Sequence, residues 1–96
     1  MLEFKKFDPG KIVMTRGIGA IIDQRPEYHA EIVSILERYA GCDWGILGED
    51  DKTMNDNAVE RNDDRILARY HTSEGDVYVI TKYDRSYTTI MFCKEY

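Results

Sequence analysis

Apolar side chains at Tyr28, Ile32, Ile35, Leu36 and Tyr39 recur at i, i+4, i+7, i+8 and i+11, the spacing that lays one apolar stripe along a helix. Pro26 suits a first helical turn, where its missing N–H is not needed, and Glu27 beside it faces the positive end of the helix dipole. Ala40 and Gly41 supply the stop. The pattern predicts one main amphipathic helix over 28–39. Upstream, an Asp8-Pro9-Gly10 turn leads into KIVMT, residues 11–15, which reads as a short strand. Gly17 and Gly19 loosen the next stretch, although Ile18, Ile21 and Ile22 fit one helical turn before Pro26. Downstream, Cys42-Asp43-Trp44-Gly45 forms a tight connection with Trp44 folded back onto the core. A second helix follows over roughly 52–61, capped by Asp50 or Asp51. Its apolar face is thin (Met54, Ala58, Val59), so it is peripheral and mostly wet.

The last third changes period. Residues 65–71, 77–82 and 88–94 are rich in β-branched and aromatic side chains and are separated by turn chemistry at 72–76 and 83–86. They predict an antiparallel meander. One face carries Ile66, Ala68 and Tyr70, then either Val77 and Val79 or Tyr78 and Ile80, then Ile90 and Phe92. That face needs a cover, and the 28–39 helix is the natural one. The fold class expected is α+β in a single domain over 1–96. A three- to four-stranded antiparallel sheet, the C-terminal meander plus an N-terminal edge strand, lies under one main helix and a peripheral acidic helix.

Composition refines this picture in one respect. Over 96 residues the net charge is −5, which argues against direct nucleic-acid binding as the main activity. The distribution is uneven. Between Asp43 and Asp64 eight acidic residues (Asp43, Glu49, Asp50, Asp51, Asp56, Glu60, Asp63, Asp64) accompany only Lys52 and Arg61, a net of −6, while the remaining ten acidic and eleven basic residues sum to +1. Cys42 and Cys93 have no CxxC partner and read as two reduced thiols. The longest apolar run, 18–22, is far too short to span a bilayer. No apolar stretch follows Lys5 and Lys6 as a signal peptide requires, so a cytoplasmic address is expected.

From Glu49, oxygen-bearing side chains at Asp51, Thr53, Asn55, Asn57 and Glu60 mimic a calcium loop, but Met54 stands where the sharp turn needs glycine. His29, His71 and the cysteines lack zinc spacing. No metal or cofactor site is expected, and no motif supports either cysteine as a nucleophile. Strand alternation puts Arg65, Arg69 and His71 on one face, a cationic surface for phosphate or simply a solvent face of paired charges. Asp84-Arg85-Ser86 is a charged turn. It is a candidate loop site, with a structural role for Asp84 on backbone amides and for Arg85 on a nearby acid as the favoured reading.

Two resemblances bear on function. The run from Arg61 through Arg65-Ile66-Leu67 to 84–89 resembles the last strands of small guanyl-preferring ribonucleases of the barnase type. That resemblance implies arginines gripping a phosphate, here Arg61 and Arg65, with His71 as substitute acid. Arg85 stands where the family has its histidine, and no strand-borne glutamate precedes Arg61. More of the chain, from about residue 11 onward, resembles a family of small bacterial "plasmid related" proteins of mobile elements. Asp43-Trp44-Gly45, Arg65-Ile66-Leu67, Asp84-Arg85-Ser86 and Thr88-Thr89 carry that resemblance. It implies a setting, in which short acidic proteins bind host enzymes including restriction and CRISPR nucleases, but no catalytic residues. The expectation is a non-enzymatic protein-binding module, with the eight carboxylates as the surface for a basic protein partner and no membrane association. The alternatives are a small ribonuclease or phosphodiesterase using Arg61, Arg65 and His71, and a homo-oligomer assembled through a sheet edge.

Overall fold

A computed structural model describes residues 2–96. Its elements run β1 (Lys11–Met14), α1 (Arg16–Gln24), α2 (Tyr28–Ala40), α3 (Glu49–Arg61), β2 (Ile66–Tyr70), β3 (Val77–Thr81) and β4 (Tyr87–Phe92), closed by a single 3-10 turn, Cys93–Glu95. The four strands form one sheet in the order β1-β4-β3-β2. β2, β3 and β4 make the antiparallel meander that the alternation predicts, with Ala68 opposite Val79 and Val79 opposite Ile90. The N-terminal strand does join an edge, but it runs parallel to β4, Lys11 beside Tyr87 and Met14 beside Ile90. A parallel neighbour needs a long crossover, and here everything from α1 to β3 supplies it.

Helix α1 extends well beyond the single turn that Gly17 and Gly19 suggested. Thr15 caps it, its hydroxyl accepting the Ile18 N–H at 3.4 Å and donating to Glu95 Oε1 at 2.9 Å. Ile18 is fully buried, and Ile21 and Ile22 pack against the core. Helix α2 buries Tyr28, Ile32, Ile35, Leu36 and Tyr39, the whole predicted stripe. Beneath it lie Ile66, Ala68, Tyr70, Val77, Val79, Ile90 and Phe92, all at or near full burial. In the middle strand the valines therefore face in, and Tyr78 and Ile80 face out. Each large aliphatic so placed contributes roughly 2 kcal/mol relative to exposure. Trp44 is buried too, edge-on to Tyr39 with centroids 5.4 Å apart. Phe7 from the N-terminal segment meets Tyr39 at the same distance.

One polar chain crosses this core. Thr88 Oγ1 donates to the Pro9 carbonyl at 2.6 Å, so it must accept from Thr81 Oγ1 at 2.7 Å. Thr81 in turn accepts from the Tyr39 hydroxyl at 2.7 Å. A single acceptor at the end fixes the direction of every hydroxyl in the series. Burial pushes the Tyr39 phenol well above its ordinary range, so it remains a donor at any physiological pH.

Candidate functional site

Helix α3 lies beside β2 and is held there by very little apolar surface. Only Asn55 and Ala58 are buried, whereas Met54 is 60% exposed. The anchor is polar. The Asn55 amide donates to the Leu67 carbonyl at 2.8 Å and accepts the Leu67 N–H at 3.2 Å, so one side chain stands in for a neighbouring strand. At the other end Asn62 takes the left-handed conformation, φ 54°, and ends the helix. Gly48 occupies the N-cap, and Glu49, Asp50 and Asp51 fill the first turn, where the helix dipole favours negative charge.

Not every predicted carboxylate is free to meet a partner. Asp43 accepts from Arg38 Nε at 2.8 Å and Nη2 at 3.3 Å, and also from the Gly45 N–H. The Arg38 bonds, ahead of the Gly45 amide, hold its carboxyl below the ordinary carboxylate range. Asp56 accepts the Trp44 indole N–H at 2.9 Å. Asp63 and Asp64 lie in the turn after the helix, and the Asp64 carboxylate accepts the Arg65 N–H. Glu49, Asp50, Asp51 and Glu60 remain exposed along α3. Among the described residues their one ion pair is Glu49 with Lys52, at 3.9 Å on the rim of contact. Glu49, Asp56 and Glu60 share one side of the helix by their i, i+7, i+11 spacing.

The cationic trio does not converge. Arg65 and His71 are both exposed and share the outer-face alternation of β2. Six residues of extended chain separate them, roughly 20 Å. Arg61 ends α3, on a different element. His71 Nδ1 lies 2.6 Å from Asp76 Oδ1, and Arg69 bonds the other oxygen of the same carboxylate at 2.8 and 3.1 Å. His71 first, then Arg69, holds the Asp76 carboxyl below the ordinary range. Arg69 and His71 are therefore both bonded to one acid on the adjacent turn. The cysteines are free, and burial pushes both thiols up, away from the reactive thiolate form. Among the described residues no group of three or more His, Cys, Asp or Glu side chains is placed to hold a metal, and no helix is long and apolar enough to cross a membrane.

The Asp84-Arg85-Ser86 turn faces inward at its centre. Asp84 accepts the Ser86 N–H at 3.0 Å. Arg85 is 8% exposed with φ 62°, and its guanidinium meets main-chain carbonyls rather than an acid. Asp43-Trp44-Gly45 is likewise built into the fold. The Trp44 carbonyl accepts from the Arg69 N–H, the Ile46 N–H donates back to Arg69, and at Gly45 (φ 75°) a Cβ would sit 1.9 Å from the Arg69 oxygen. With Asn55 at Leu67, this bridge satisfies the outer edge of β2.

Periodicity gave less notice of the sheet's outer face. Tyr78, Ile80, Thr89 and Met91 are half-exposed there, and Tyr83 and Tyr87 are 62% and 42% exposed. An open cleft of about 300 Å³ runs between Arg65, Lys82 and the two tyrosines, floored by Ile80, Thr89 and Met91. Lys82 Nζ stands 6.0 Å from the Tyr83 ring centre and 5.4 Å from that of Tyr87. The available signal was β3 itself, whose two faces are both apolar; a strand of that kind has something to cover on each side. Compared with known proteins, the chain matches no protein-family model, no curated sequence and no solved structure.

Proposed function

We propose that this chain is a non-enzymatic protein-binding module that offers the exposed side of α3 to a basic partner, and that it serves a mobile element by inhibiting a host defence nuclease of the restriction or CRISPR kind. The observation behind this reading is an ordered helix with Glu49, Asp50, Asp51 and Glu60 exposed and almost no compensating cation. Carboxylates clustered on a rigid helix imitate the charge density of a nucleic-acid backbone. It steers a basic groove toward itself, raising association rates by roughly 10- to 1,000-fold at low salt. Because Asn55 and the turn after the helix fix α3 in place, little ordering entropy is lost on docking. The mobile-element setting rests on the resemblance of the Asp43-Trp44-Gly45 and Asp84-Arg85-Ser86 segments to the plasmid related proteins.

The test is a combined Glu49→Gln, Asp50→Asn, Asp51→Asn, Glu60→Gln variant, with Asp43 and Asp56 retained because both hold the fold. Affinity capture from host lysate, read by mass spectrometry and followed by salt-dependent association kinetics, should recover a basic nuclease with the parent chain. The variant should associate at least tenfold more slowly with an unchanged melting temperature. Capture that survives the four substitutions and ignores salt would defeat the proposal.

A further inference from the structure

We propose that the open sheet face binds single-stranded nucleic acid, with Tyr83 and Tyr87 as stacking platforms and Arg65 and Lys82 as phosphate contacts. This surface meets α3 only at Arg65, which also borders a cleft shared with Asp51 and Asn55 of that helix, and the inference does not depend on the function proposed above.

The argument begins with charge. The net −5 of the chain hides a division: the surplus carboxylates belong to α3 and its flanks, beyond the β2 edge, whereas the cleft on the sheet is bordered by Arg65 and Lys82. Neither of these cations forms an ion pair among the described residues, in contrast to Arg69, whose charge Asp76 already answers. Lys11 lies on the same face, opposite Tyr87 in the β1–β4 register. On the α3 side of Arg65 stand Asp51 and Asp64, so Lys82 is the cation of the cleft farther from the acidic helix.

Two exposed aromatic rings, with the Lys82 ammonium over both and no carboxylate paired to it among the described residues, point to the class of ligand. Lys82 swings from the rings to a phosphate as a base takes its place. A cation alone would suit any anion, including an acidic peptide. Rings left open to solvent beside it suit an anion that also carries flat π-surfaces, and a nucleotide unit has both in the right order, base then phosphate. The apolar floor of Ile80 and Met91 gives a stacked base a dry support. A duplex hides its base faces and meets the cations alone, so single strands are preferred. The cleft is of a size to hold one or two nucleotide units.

Fluorescence anisotropy with labelled oligothymidylate and oligouridylate of about ten nucleotides, at about 50 mM salt, tests this and separates DNA from RNA as the source. A duplex of equal length and a polyglutamate peptide serve as comparison ligands. At least one single strand should bind, more tightly than duplex or polyglutamate. Two phosphate contacts predict a log–log salt slope near −1.4, falling by about 0.7 in Lys82→Ala or Arg65→Ala. Tyr83→Ala and Tyr87→Ala should each weaken binding about tenfold, and Tyr83→Phe should not, because stacking needs the ring and not the hydroxyl. Both tyrosines are exposed, so the variants should keep the parent melting curve. The α3-neutralised chain should bind equally or more tightly. No anisotropy change with either strand, polyglutamate binding as tightly, or indifference to both tyrosine-to-alanine changes would overturn the proposal.

Discussion

Arg85 directs both terminal nitrogens of its guanidinium at main-chain oxygen, while its Nε is buried without a partner. Nη1 donates to the carbonyls of Asp64, Lys82 and Tyr83 at 2.6, 3.3 and 3.2 Å, and Nη2 to those of Ala58 and Asp63 at 2.9 and 3.1 Å. One residue in the left-handed region thus ties the end of α3 to the β3–β4 turn, with its charge at the negative end of the helix dipole. Arg85→Ala strips several buried carbonyls of their donor and should lower stability by about 3 kcal/mol in urea unfolding, with Arg85→Lys recovering only part because an ammonium cannot fork. A loss under about 1 kcal/mol would mean water replaces the guanidinium. The sequence showed a charged turn and suggested an acid as Arg85's partner. It could not show carbonyls lying more than twenty positions away, since backbone acceptors leave no trace in residue identity. Asp43 carries a pH consequence of its own. A carboxyl lowered by Arg38 stabilises the fold fully above the unfolded value, near pH 4, and that share is lost as pH falls through the lower folded value. Glu31, lowered by its bonds to Ser73, has the same sign. Melting temperature should therefore be flat from neutrality to about pH 5 and fall below about pH 4. Asp43→Asn should be less stable at neutrality and show a shallower acid limb; an unchanged limb would remove Asp43 from the account.

At the scale of elements, α3 shows how a helix with almost no apolar face can still be firmly placed. Its propensity is carried by first-turn acids and its position by Asn55. Asn55→Ala should cost about 2 kcal/mol and accelerate hydrogen exchange of the Leu67 amide by tenfold or more, because that N–H then faces solvent. Protection of Leu67 that persists in the variant would show another group closing the edge. Period alone made α2 and the meander legible: five apolar positions in a helical stripe, and β-branched residues alternating between turns. The start of α3 was placed three residues late because Asp50 and Asp51 read as caps, whereas they form the first turn behind Gly48. Helix α1 was underestimated, since two glycines lower propensity but burial of Ile18 and the Thr15 cap override it. Between elements the apolar packing of α2 and Trp44 was legible but the polar anchors were not: nothing in Asn55 marks it as a strand surrogate.

The whole molecule is two-sided, a sheet face with unpaired cations and aromatic rings and, past the β2 edge, a helix of carboxylates. Net charge averages these into a number that describes neither. The acidic half of the candidate surface was visible as a run in the sequence. Of the cationic half only Arg65 was visible, through strand alternation; Lys82 and Tyr87 join it because they flank or lie in the neighbouring strands β3 and β4. The direction of β1 was also beyond reach, since a short apolar strand pairs either way and a distant neighbour decides.

Of the four strands of this sheet Lys11–Met14 comes first along the chain, yet the edge it pairs with, Tyr87–Ile90, comes last. Its seat therefore depends on the most distant pairing in the sheet, and without β4 its isoleucine and valine have no neighbouring strand to cover them.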